Sequence, residues 1–369
     1  MIHLTYLEAA VVGLVQGVSE MFPVSSLGHN VLIPAIVGGS WARDLNVSSP
    51  ESPYLAFIVG LHVATAIALL IYFWRDWVRI ISGFFSSLRD RRIETTDQRL
   101  AWMIILATIP VGIAGLAFEH AFRVIFGKPI LAAIFLAVNG VILITGERYR
   151  TRASRAADAS IAAERNAGFT APARQPRFTA PAREPELAGP AREPGFTGPA
   201  RQPGFTAPAR QPETAAAGRH RGGSHAVRAI EVADTIQSDH RLASMTYPQS
   251  VVIGSAQILA LLAGISRDGV TMVTGMARGL SREDAARFAF LLATPVILAA
   301  GALKIPDLFG PLGNGIHGQI VLGSVLSGIG AYLSVRFLLR YLRTRTLTPF
   351  GVYCLIAGLA CVAYLGVIK

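Results

Sequence analysis

Six long runs of apolar residues dominate this chain, and each is long enough, or nearly so, to cross a lipid bilayer as a helix. A spanning helix needs roughly 17–25 residues, because each residue adds about 1.5 Å of rise across a hydrocarbon layer about 30 Å thick. The runs lie near residues 55–74, 101–118, 129–146, 288–304, 318–339 and 349–368. They predict an all-α polytopic membrane protein with six spanning helices.

Two further apolar regions, 4–39 and 249–277, are interrupted near the middle. In the first region the interrupting residues are Gln16, Glu20, Pro23, Ser25, Ser26 and His29. In the second region they are Gly264, Ser266, Arg267 and Asp268. The pieces on either side of each break are too short to span alone, and irregular backbone at membrane depth must be buried in protein. We therefore expect each region to form a re-entrant helical hairpin with a buried polar tip.

The two interrupted regions repeat each other at an offset of 241 residues, the separation of Gly13 from Gly254. Three more pairs share this register: Gln16 with Gln257, Ser25 with Ser266, and Gly28 with Gly269. Polar residues at membrane depth are unfavourable and mark functional sites. A repeat of broken apolar segments points to a site at the interface between the two repeats.

Arginine is concentrated in alternate loops between the apolar runs. The arginine-rich segments are 75–99, 147–155, 278–287 and 336–345. The segments poor in Lys and Arg are 41–54, 119–128 and 305–317. Because basic loops stay in the cytoplasm, this alternation predicts that the first hairpin enters from outside and the second from inside. Three spans follow each hairpin, so we expect an inverted-topology repeat of four plus four elements whose tips meet within the membrane.

Composition excludes a soluble enzyme with a large core. The chain is 52% hydrophobic and 15% charged, with a mean hydropathy of +0.46. The net charge of +11 could indicate a nucleic-acid partner, but the positive-inside rule explains it more simply, so we expect none.

Cys354 and Cys361 share one apolar run and imply no disulfide framework. The first apolar run lacks a basic leader, so we expect no cleaved secretory signal. Homo-oligomer formation stays open.

Residues 151–245 interrupt the membrane pattern with a Pro-, Ala- and Arg-rich stretch. A nine-residue unit begins at Gly168 and recurs from positions 177, 186, 195 and 204. Without apolar periodicity such a stretch cannot bury enough surface to offset its ordering entropy, so we expect disorder. The predicted domains are a first membrane repeat, a disordered cytoplasmic insertion and a second membrane repeat: 1–147, 148–246 and 247–369. An arginine-rich tether for anionic lipid or a partner is the functional alternative for the insertion, although its charge is dilute.

The first tip carries residue types suited to a metal ion. Gln16 and Glu20 are four residues apart, so they share a face of a helix. A carboxylate with an amide oxygen suits a hard cation such as Mg²⁺ or Ca²⁺, completed by water and substrate phosphates. The alternative is that both side chains only hydrogen-bond to a neighbouring helix. That alternative is weaker for Glu20, because a buried carboxylate needs a compensating partner.

The first tip also carries a candidate nucleophile. The hydroxyl of Ser26 would need an adjacent base, and the imidazole of His29, three residues later, could serve. Small residues such as Ser25 and Gly28 would let backbone N–H groups approach phosphate oxygens. The alternative is a serine-rich turn with a structural histidine. His62, in a nearby apolar run, is interpreted as a packed histidine.

Arg267 is the most informative single residue of the second tip. It is a fixed cation in an apolar region, flanked by Gly264 and Gly269. A guanidinium forms bidentate bonds with phosphate, which makes it a natural clamp for a diphosphate. The alternative is a buried ion pair with Glu20 or Asp268. The two interpretations are compatible, because an anion site without its anion would rest in such a pairing.

Together these motifs resemble the undecaprenyl-diphosphate phosphatase family of the BacA type. The shared motifs are Gln16-x-x-x-Glu20, Pro23-Val-Ser25-Ser26-x-Gly28-His29, Gly264-x-Ser266-Arg267-x-Gly269 and the apolar run from Phe288 to Pro295. The resemblance implies an integral membrane phosphatase that converts undecaprenyl diphosphate to undecaprenyl phosphate and inorganic phosphate with a divalent cation. Such an enzyme recycles the lipid carrier of cell-wall peptidoglycan synthesis and is associated with bacitracin resistance.

The resemblance also implies roles for individual residues. Gln16 and Glu20 would bind the metal, and Glu20, Ser26, His29 and Arg267 would be catalytic. Ser26 would be the nucleophile, His29 the general base or acid, and Arg267 the diphosphate clamp. The remaining substrate-binding positions would be Ser25, Gly28, Gly264, Ser266 and Gly269. The chain departs from the family pattern at Leu27, Ala263 and Asp268, and Gln16 stands at a motif position where Glu is usual and Gln is tolerated.

Two other functions remain as alternatives at this point. Inverted repeats with broken helices are also found in secondary transporters, so a transporter or flippase for a phosphorylated lipid or anion is the main one. A lipid-binding protein without catalysis is the other. A grouping of nucleophile, base, metal and arginine favours the enzyme, since a carrier needs no nucleophile. The sequence leaves open whether Ser26 forms a phospho-enzyme or His29 activates water.

Overall fold

A computed structural model of the chain describes residues 4–45, 53–126, 128–169, 234–309 and 315–368. Within those ranges the regular secondary structure is helical throughout, without a β-strand. The helices are α1 Tyr6–Met21, α2 Ser26–Val37, α3 Gly39–Asp44, α4 Pro53–Tyr72, α5 Trp74–Asp90, α6 Thr96–Phe126, α7 Pro129–Phe169, α8 234–243, α9 Tyr247–Ser255, α10 Arg267–Ala277, α11 Arg282–Phe309, α12 His317–Leu342 and α13 Thr348–Ile368. A 3₁₀ helix, Ala256–Leu261, directly follows α9.

Five of these helices are long and apolar enough to cross a membrane. They are Thr96–Phe118, Pro129–Ala163, Arg282–Lys304, His317–Leu342 and Thr348–Val367. The bent pair Phe57–Tyr72 and Trp74–Asp90 gives a sixth candidate. The five coincide with five predicted runs, and α4 occupies the sixth run, 55–74. These helices confirm an all-α, multi-pass membrane protein.

The structure corrects the prediction that residues 75–99 form a loop. Residues Trp74–Asp90 form α5, which bends from α4 by 84°. This helix is amphipathic, with one face buried against the protein and the other exposing a stripe of large apolar side chains. The exposed stripe consists of Trp74, Val78, Ile81, Phe85 and Leu88. The arginines counted as loop charge therefore lie partly on a helix.

The first turns of α1 and α9 are fixed by the same local device. In α1 the Thr5 hydroxyl accepts from the Glu8 N–H, and the Glu8 carboxylate accepts from the Thr5 N–H. In α9 Thr246 and Gln249 form the equivalent capping box. A capping box satisfies two backbone donors that a helix start otherwise leaves unpaired. Both capping pairs obey the 241-residue offset, so the repeat extends back to the helix starts.

Small residues let the two repeats pack closely. Gly13 lies against Gly323 of α12, where an added Cβ would be 2.5 Å from the Gly323 carbonyl oxygen. Gly254, its repeat counterpart in α9, lies in the same way against Ala107 of α6. Close backbone approach through small residues is how membrane helices gain van der Waals contact. α1 is therefore held against α12, and α9 against α6.

α11 is the central helix of the bundle. A larger share of its apolar stretch is buried than in any of the other four spanning candidates. The run from Phe288 to Pro295 contributes Phe288, Phe290, Leu291, Leu292 and Ala293 to the hydrophobic core. This part of the family-like pattern therefore supports packing, and the polar motifs lie elsewhere.

The chain divides into two compact units, Met1–Ala156 with Val232–Lys369, and Ala157–Glu231. The structure corrects both ends of the disordered insertion that the sequence analysis places at 148–246. Residues 151–169 continue α7 as a helix, and residues 234–243 form α8. Asp239 and Leu242 of α8 are buried. Apart from Gly168 and Phe169 at the end of α7, the nine-residue repeats lie outside the described residues, and so does the prediction of disorder for 170–233.

Candidate active site

The turns that interrupt the two apolar regions are in direct contact. The N–H of Gly264 donates to the hydroxyl oxygen of Ser25 over 3.2 Å. Ser25 has a φ of 67°, a left-handed conformation that is strained for a residue other than glycine. Its hydroxyl also accepts from the Gly28 N–H, which caps the start of α2. Ser25 thus caps the start of α2 and also connects the two repeats.

Ser266 occupies the equivalent place in the second repeat. Its hydroxyl accepts from the Gly269 N–H at 3.1 Å and caps α10, as Ser25 caps α2. An added Cβ on Gly28 would be 3.0 Å from the Cα of Gly264. A side chain at Gly28 would therefore push the two turns apart. The N-termini of α2 and α10 both begin at this junction, and their dipoles favour an anion there.

Asn139 of α7 is a bridging residue that the sequence analysis missed. Its side chain is fully buried. The amide nitrogen donates to the Pro23 carbonyl at 3.0 Å, and the amide oxygen accepts from the Ser266 N–H at 3.0 Å. Its nitrogen also contacts the Cys354 sulfur at 3.4 Å. One amide therefore satisfies a backbone group of each turn. A lone asparagine within an apolar run was the only available signal.

Glu20 is the centre of the polar cluster at this junction. Its Oε2 accepts from the Gln16 amide at 2.9 Å and from the Ser26 hydroxyl. Its Oε1 accepts from Arg267 at 3.0 Å. The Nε2 of His62 lies 3.6 Å from Oε2. His62, interpreted from sequence as a packed histidine, is thus part of the site, because α4 packs beside α1.

Arg267 links the second turn to the first. Besides Glu20, its Nε lies 3.3 Å from Oδ1 of Asp268, so both ion pairs weighed from sequence are present. The Arg267 side chain is 15% exposed, whereas Asp268 is 1% exposed. Oδ2 of Asp268 is buried and has no hydrogen-bond partner among the described residues. The guanidinium therefore remains reachable, while its two carboxylate partners lie beneath it.

Gln16 presents its amide nitrogen, not its oxygen, to Glu20. The oxygen accepts from the Nδ2 of Asn30 at 2.6 Å, and Asn30 is a second buried amide that the sequence analysis missed. The nitrogen contacts both Glu20 and the Nε2 of His62 at 3.3 Å. This geometry differs from the expectation that Gln16 is a metal ligand. An amide oxygen that accepts from Asn30 is turned away from the carboxylate.

His29 has partners other than the Ser26 hydroxyl. Its Nδ1 lies 2.7 Å from the Ser25 carbonyl oxygen, and its Nε2 lies 2.7 Å from the Tyr353 hydroxyl of α13. A carbonyl only accepts, so Nδ1 carries the proton, and in a neutral ring Nε2 accepts from the hydroxyl. The His29 and Tyr353 rings also stack. The side chain that touches Ser26 is Glu20, not His29 as expected.

The arrangement has the components of a phosphate-transfer site. A reachable guanidinium is suited to phosphate oxygens. A serine hydroxyl already donates to a carboxylate, and that pairing is how a hydroxyl is activated as a nucleophile. The described residues include no cluster of three or more His, Cys, Asp or Glu side chains arranged to hold a metal ion. Any cation here would draw on few protein ligands and on the phosphates of a substrate, as Mg²⁺ sites often do.

The chain is similar to known proteins over nearly its whole length. The model of the family described as bacitracin resistance protein BacA matches residues 9–170 and 211–360. A protein named undecaprenyl-diphosphatase from Mycolicibacterium paratuberculosis is 52% identical over 363 residues, which are 98% of each chain. Undecaprenyl-diphosphatase 2 from Frankia alni is 52% identical over 364 residues, 97% of each chain. Undecaprenyl-diphosphatase 2 from Burkholderia lata is 36% identical over 351 residues, covering 95% of this chain and 93% of its own. The chain therefore belongs to the bacitracin resistance protein BacA family.

Proposed function

We propose that this chain is a membrane phosphatase that hydrolyses undecaprenyl diphosphate to undecaprenyl phosphate and inorganic phosphate. Relatives that match nearly the whole chain are named for that activity. The observation that carries the proposal is the contact between Arg267 of one turn and Glu20 of the other, at 3.0 Å. Glu20 also accepts from the Ser26 hydroxyl. The proposed base, Glu20, therefore contacts both the cation that binds phosphate and the nucleophile.

Arg267 binds the diphosphate and changes partners when it does so. Without an anion the guanidinium rests on Glu20 and Asp268. Phosphate oxygens replace Glu20 in the pairing, because a guanidinium fork fits them bidentately. As the anhydride breaks, negative charge moves to the departing lipid phosphate. The N-termini of α2 and α10 and the guanidinium stabilise that charge.

Release from Arg267 frees the Glu20 carboxylate to act as the base. It takes the proton of the Ser26 hydroxyl while the serine oxygen bonds to the terminal phosphorus. The anhydride P–O bond breaks, and undecaprenyl phosphate leaves. Water then cleaves the serine–phosphate bond and releases inorganic phosphate. Two observations support this order over water activation by His29: the Ser26–Glu20 hydrogen bond and the engagement of both His29 nitrogens.

Glu20 is also the residue that fits a divalent cation, Mg²⁺ or Ca²⁺. The unpartnered Oδ2 of Asp268, the residue next to Arg267, is a second carboxylate oxygen, and such cations take one or two carboxylates together with substrate phosphates. A bound cation would neutralise the diphosphate and make its phosphorus more electrophilic. Gln16 serves this site by orienting Glu20 through its amide nitrogen. His29 holds the start of α2 through the Ser25 carbonyl.

The fold around the site is an inverted-topology repeat with two re-entrant hairpins. Reciprocal packing supports this: α1 lies on α12, and its counterpart α9 lies on α6. Likewise α2 meets α13 through His29 and Tyr353, and its counterpart α10 approaches α7 at Gly269 and Leu143. The alternation of arginine-rich and arginine-poor segments supports an entrance to the first hairpin from outside the cytoplasm. The lipid then enters sideways with its tail in the bilayer, and phosphate is released outward.

The test is phosphate release from undecaprenyl diphosphate by the purified chain in detergent, where transport has no meaning. We expect turnover that a chelator abolishes and added Mg²⁺ or Ca²⁺ restores. Glu20→Gln keeps the size of the side chain and removes the base, so it should lose nearly all activity. Glu8→Gln, on the same helix, is the matched control, because glutamine also completes a capping box. A protein without turnover, or an active Glu20→Gln variant, would contradict the proposal.

A further inference from the structure

A cavity of ≈ 480 Å³ lies outside the candidate active site. It is lined by arginines from three separate parts of the fold: Arg150 of α7, Arg241 of α8 and Arg278 directly after α10. None of these residues belongs to the cluster around Glu20. Three guanidiniums that face one cavity repel each other, so their convergence needs a compensating negative charge.

The acidic residues near this cavity are already engaged. Asp284 is the carboxylate that lines it, and it accepts from Arg241 at 2.7 and 2.9 Å. Asp284 also accepts from the hydroxyls of Ser238 at 2.6 Å and Ser281 at 2.8 Å. Its oxygens are therefore saturated by neighbours on α8 and at the start of α11. Asp284 therefore neutralises Arg241 and fixes the position of its guanidinium at the edge of the cavity.

Arg150 and Arg278 remain without such a partner. Among the described residues, neither guanidinium forms an ion pair or a hydrogen bond with another side chain. Glu147, one turn before Arg150, is occupied by Arg282 and by the Leu347 N–H. The cavity therefore holds an excess of positive charge that the described part of the chain does not balance.

We propose that this cavity binds a phosphate oxyanion, held by the guanidiniums of Arg150 and Arg278. Guanidinium is the side chain best matched to phosphate, and basic pockets between membrane helices bind anionic lipid headgroups. Gln249, which also lines the cavity, lies in the first turn of α9, so the positive end of that helix adds to the attraction. The anion is either the headgroup of an anionic phospholipid or free phosphate.

Binding would also secure α8, the helix that returns the chain from the insertion to the second membrane repeat. Arg241 and Ser244 of α8 line the cavity together with residues of α7 and α9. A ligand held by these elements stabilises their contact, because anything bound only by the folded form raises stability. The cavity is thus an anion site distinct from the site of hydrolysis.

The test measures ligand-dependent stabilisation of the full chain in an Arg267→Ala background, which removes the other arginine proposed to hold phosphate. One arm titrates inorganic phosphate, with chloride at equal ionic strength as reference. The other compares nanodiscs that contain phosphatidylglycerol with nanodiscs of phosphatidylcholine only. The variants are Arg278→Gln, at an exposed position, and Arg150→Gln with Arg278→Gln. The matched control is Arg148→Gln with Arg345→Gln, two exposed arginines outside the cavity.

We expect the cavity variants to weaken anion binding at least about tenfold, since each removes a charge-assisted contact, and the control pair to bind as the parent does. Stabilisation by phosphate alone would identify free phosphate as the ligand, and stabilisation by phosphatidylglycerol alone would identify a lipid headgroup. The proposal is overturned if neither ligand stabilises the parent, or if the double cavity variant responds as the parent does. To check folding, Arg150→Gln with Arg278→Gln is also made in the chain that keeps Arg267. Release of phosphate from undecaprenyl diphosphate by this variant shows that it is folded.

Discussion

Replacing Asn139 by alanine should disconnect the two turns that carry the active site. The substitution removes the donor to the Pro23 carbonyl and the acceptor of the Ser266 N–H, both 3.0 Å bonds. The Ser266 N–H would remain buried without a partner, and the Pro23 carbonyl would keep only the Cys354 thiol, a weak donor at 3.8 Å. An orphaned buried group costs about 1–3 kcal/mol, so the free energy of unfolding should fall by about that amount for the Ser266 N–H, with a smaller loss added for the Pro23 carbonyl.

Reversible unfolding in mixed micelles, titrated with sodium dodecyl sulfate, measures this loss. The control is Gln257→Ala, because Gln257 is equally buried but its amide forms no hydrogen bond with any described residue. Its removal creates a larger void but orphans nothing, so we expect a smaller loss of stability than for Asn139→Ala. Asn139→Ala should also slow phosphate release, although Asn139 touches neither Glu20 nor Arg267. A loss no greater than that of the control would refute the bridging role.

Three further predictions concern the nucleophile, the insertion and the orientation. Ser26→Ala should abolish phosphate release and any covalent phosphate trapped by acid quench, and an active variant would return the role of nucleophile to water. Replacing 170–233 by a short Gly/Ser linker should leave activity within about tenfold, because that stretch has no core-forming pattern; complete loss at normal expression would make the insertion part of the catalytic unit. In a cysteine-free background, a cysteine at Ser48 should react with an impermeant thiol reagent added outside cells, and one at Thr95 should not. The reverse labelling pattern would overturn the outward-facing site.

Sequence patterns predict the parts of this protein that depend on local chemistry. The lengths of the apolar runs predict the spanning helices, because a bilayer imposes one length scale on every span. The 241-residue offset pairs Ser25 with Ser266, and both cap helices at the junction of the turns. Glycine at Gly28 and Gly264 is explained by the same close approach.

Partners supplied by distant helices could not be predicted from the sequence. Asn139 is a single polar residue in an apolar run, and its role exists only because α7 passes both turns. His29 lies three residues from Ser26, yet its ring forms a hydrogen bond with Tyr353, which is 324 residues away. His62 approaches Glu20 for the same reason. Spacing along the chain restricts which groups can meet, but packing decides which of them do.

The most direct test of the joint Glu20–Arg267 site is phosphate release by arginine variants. Arg267→Ala should fold, insert and lose about 10²–10³-fold in turnover of undecaprenyl diphosphate, as expected when a transition-state charge loses its donor. Arg267→Lys should recover only part of that loss, because a point charge lacks the fork geometry. Arg343→Ala, at an exposed arginine paired with Glu283, should match the wild type. Turnover by Arg267→Ala at the wild-type rate would contradict the assignment of this junction as the active site.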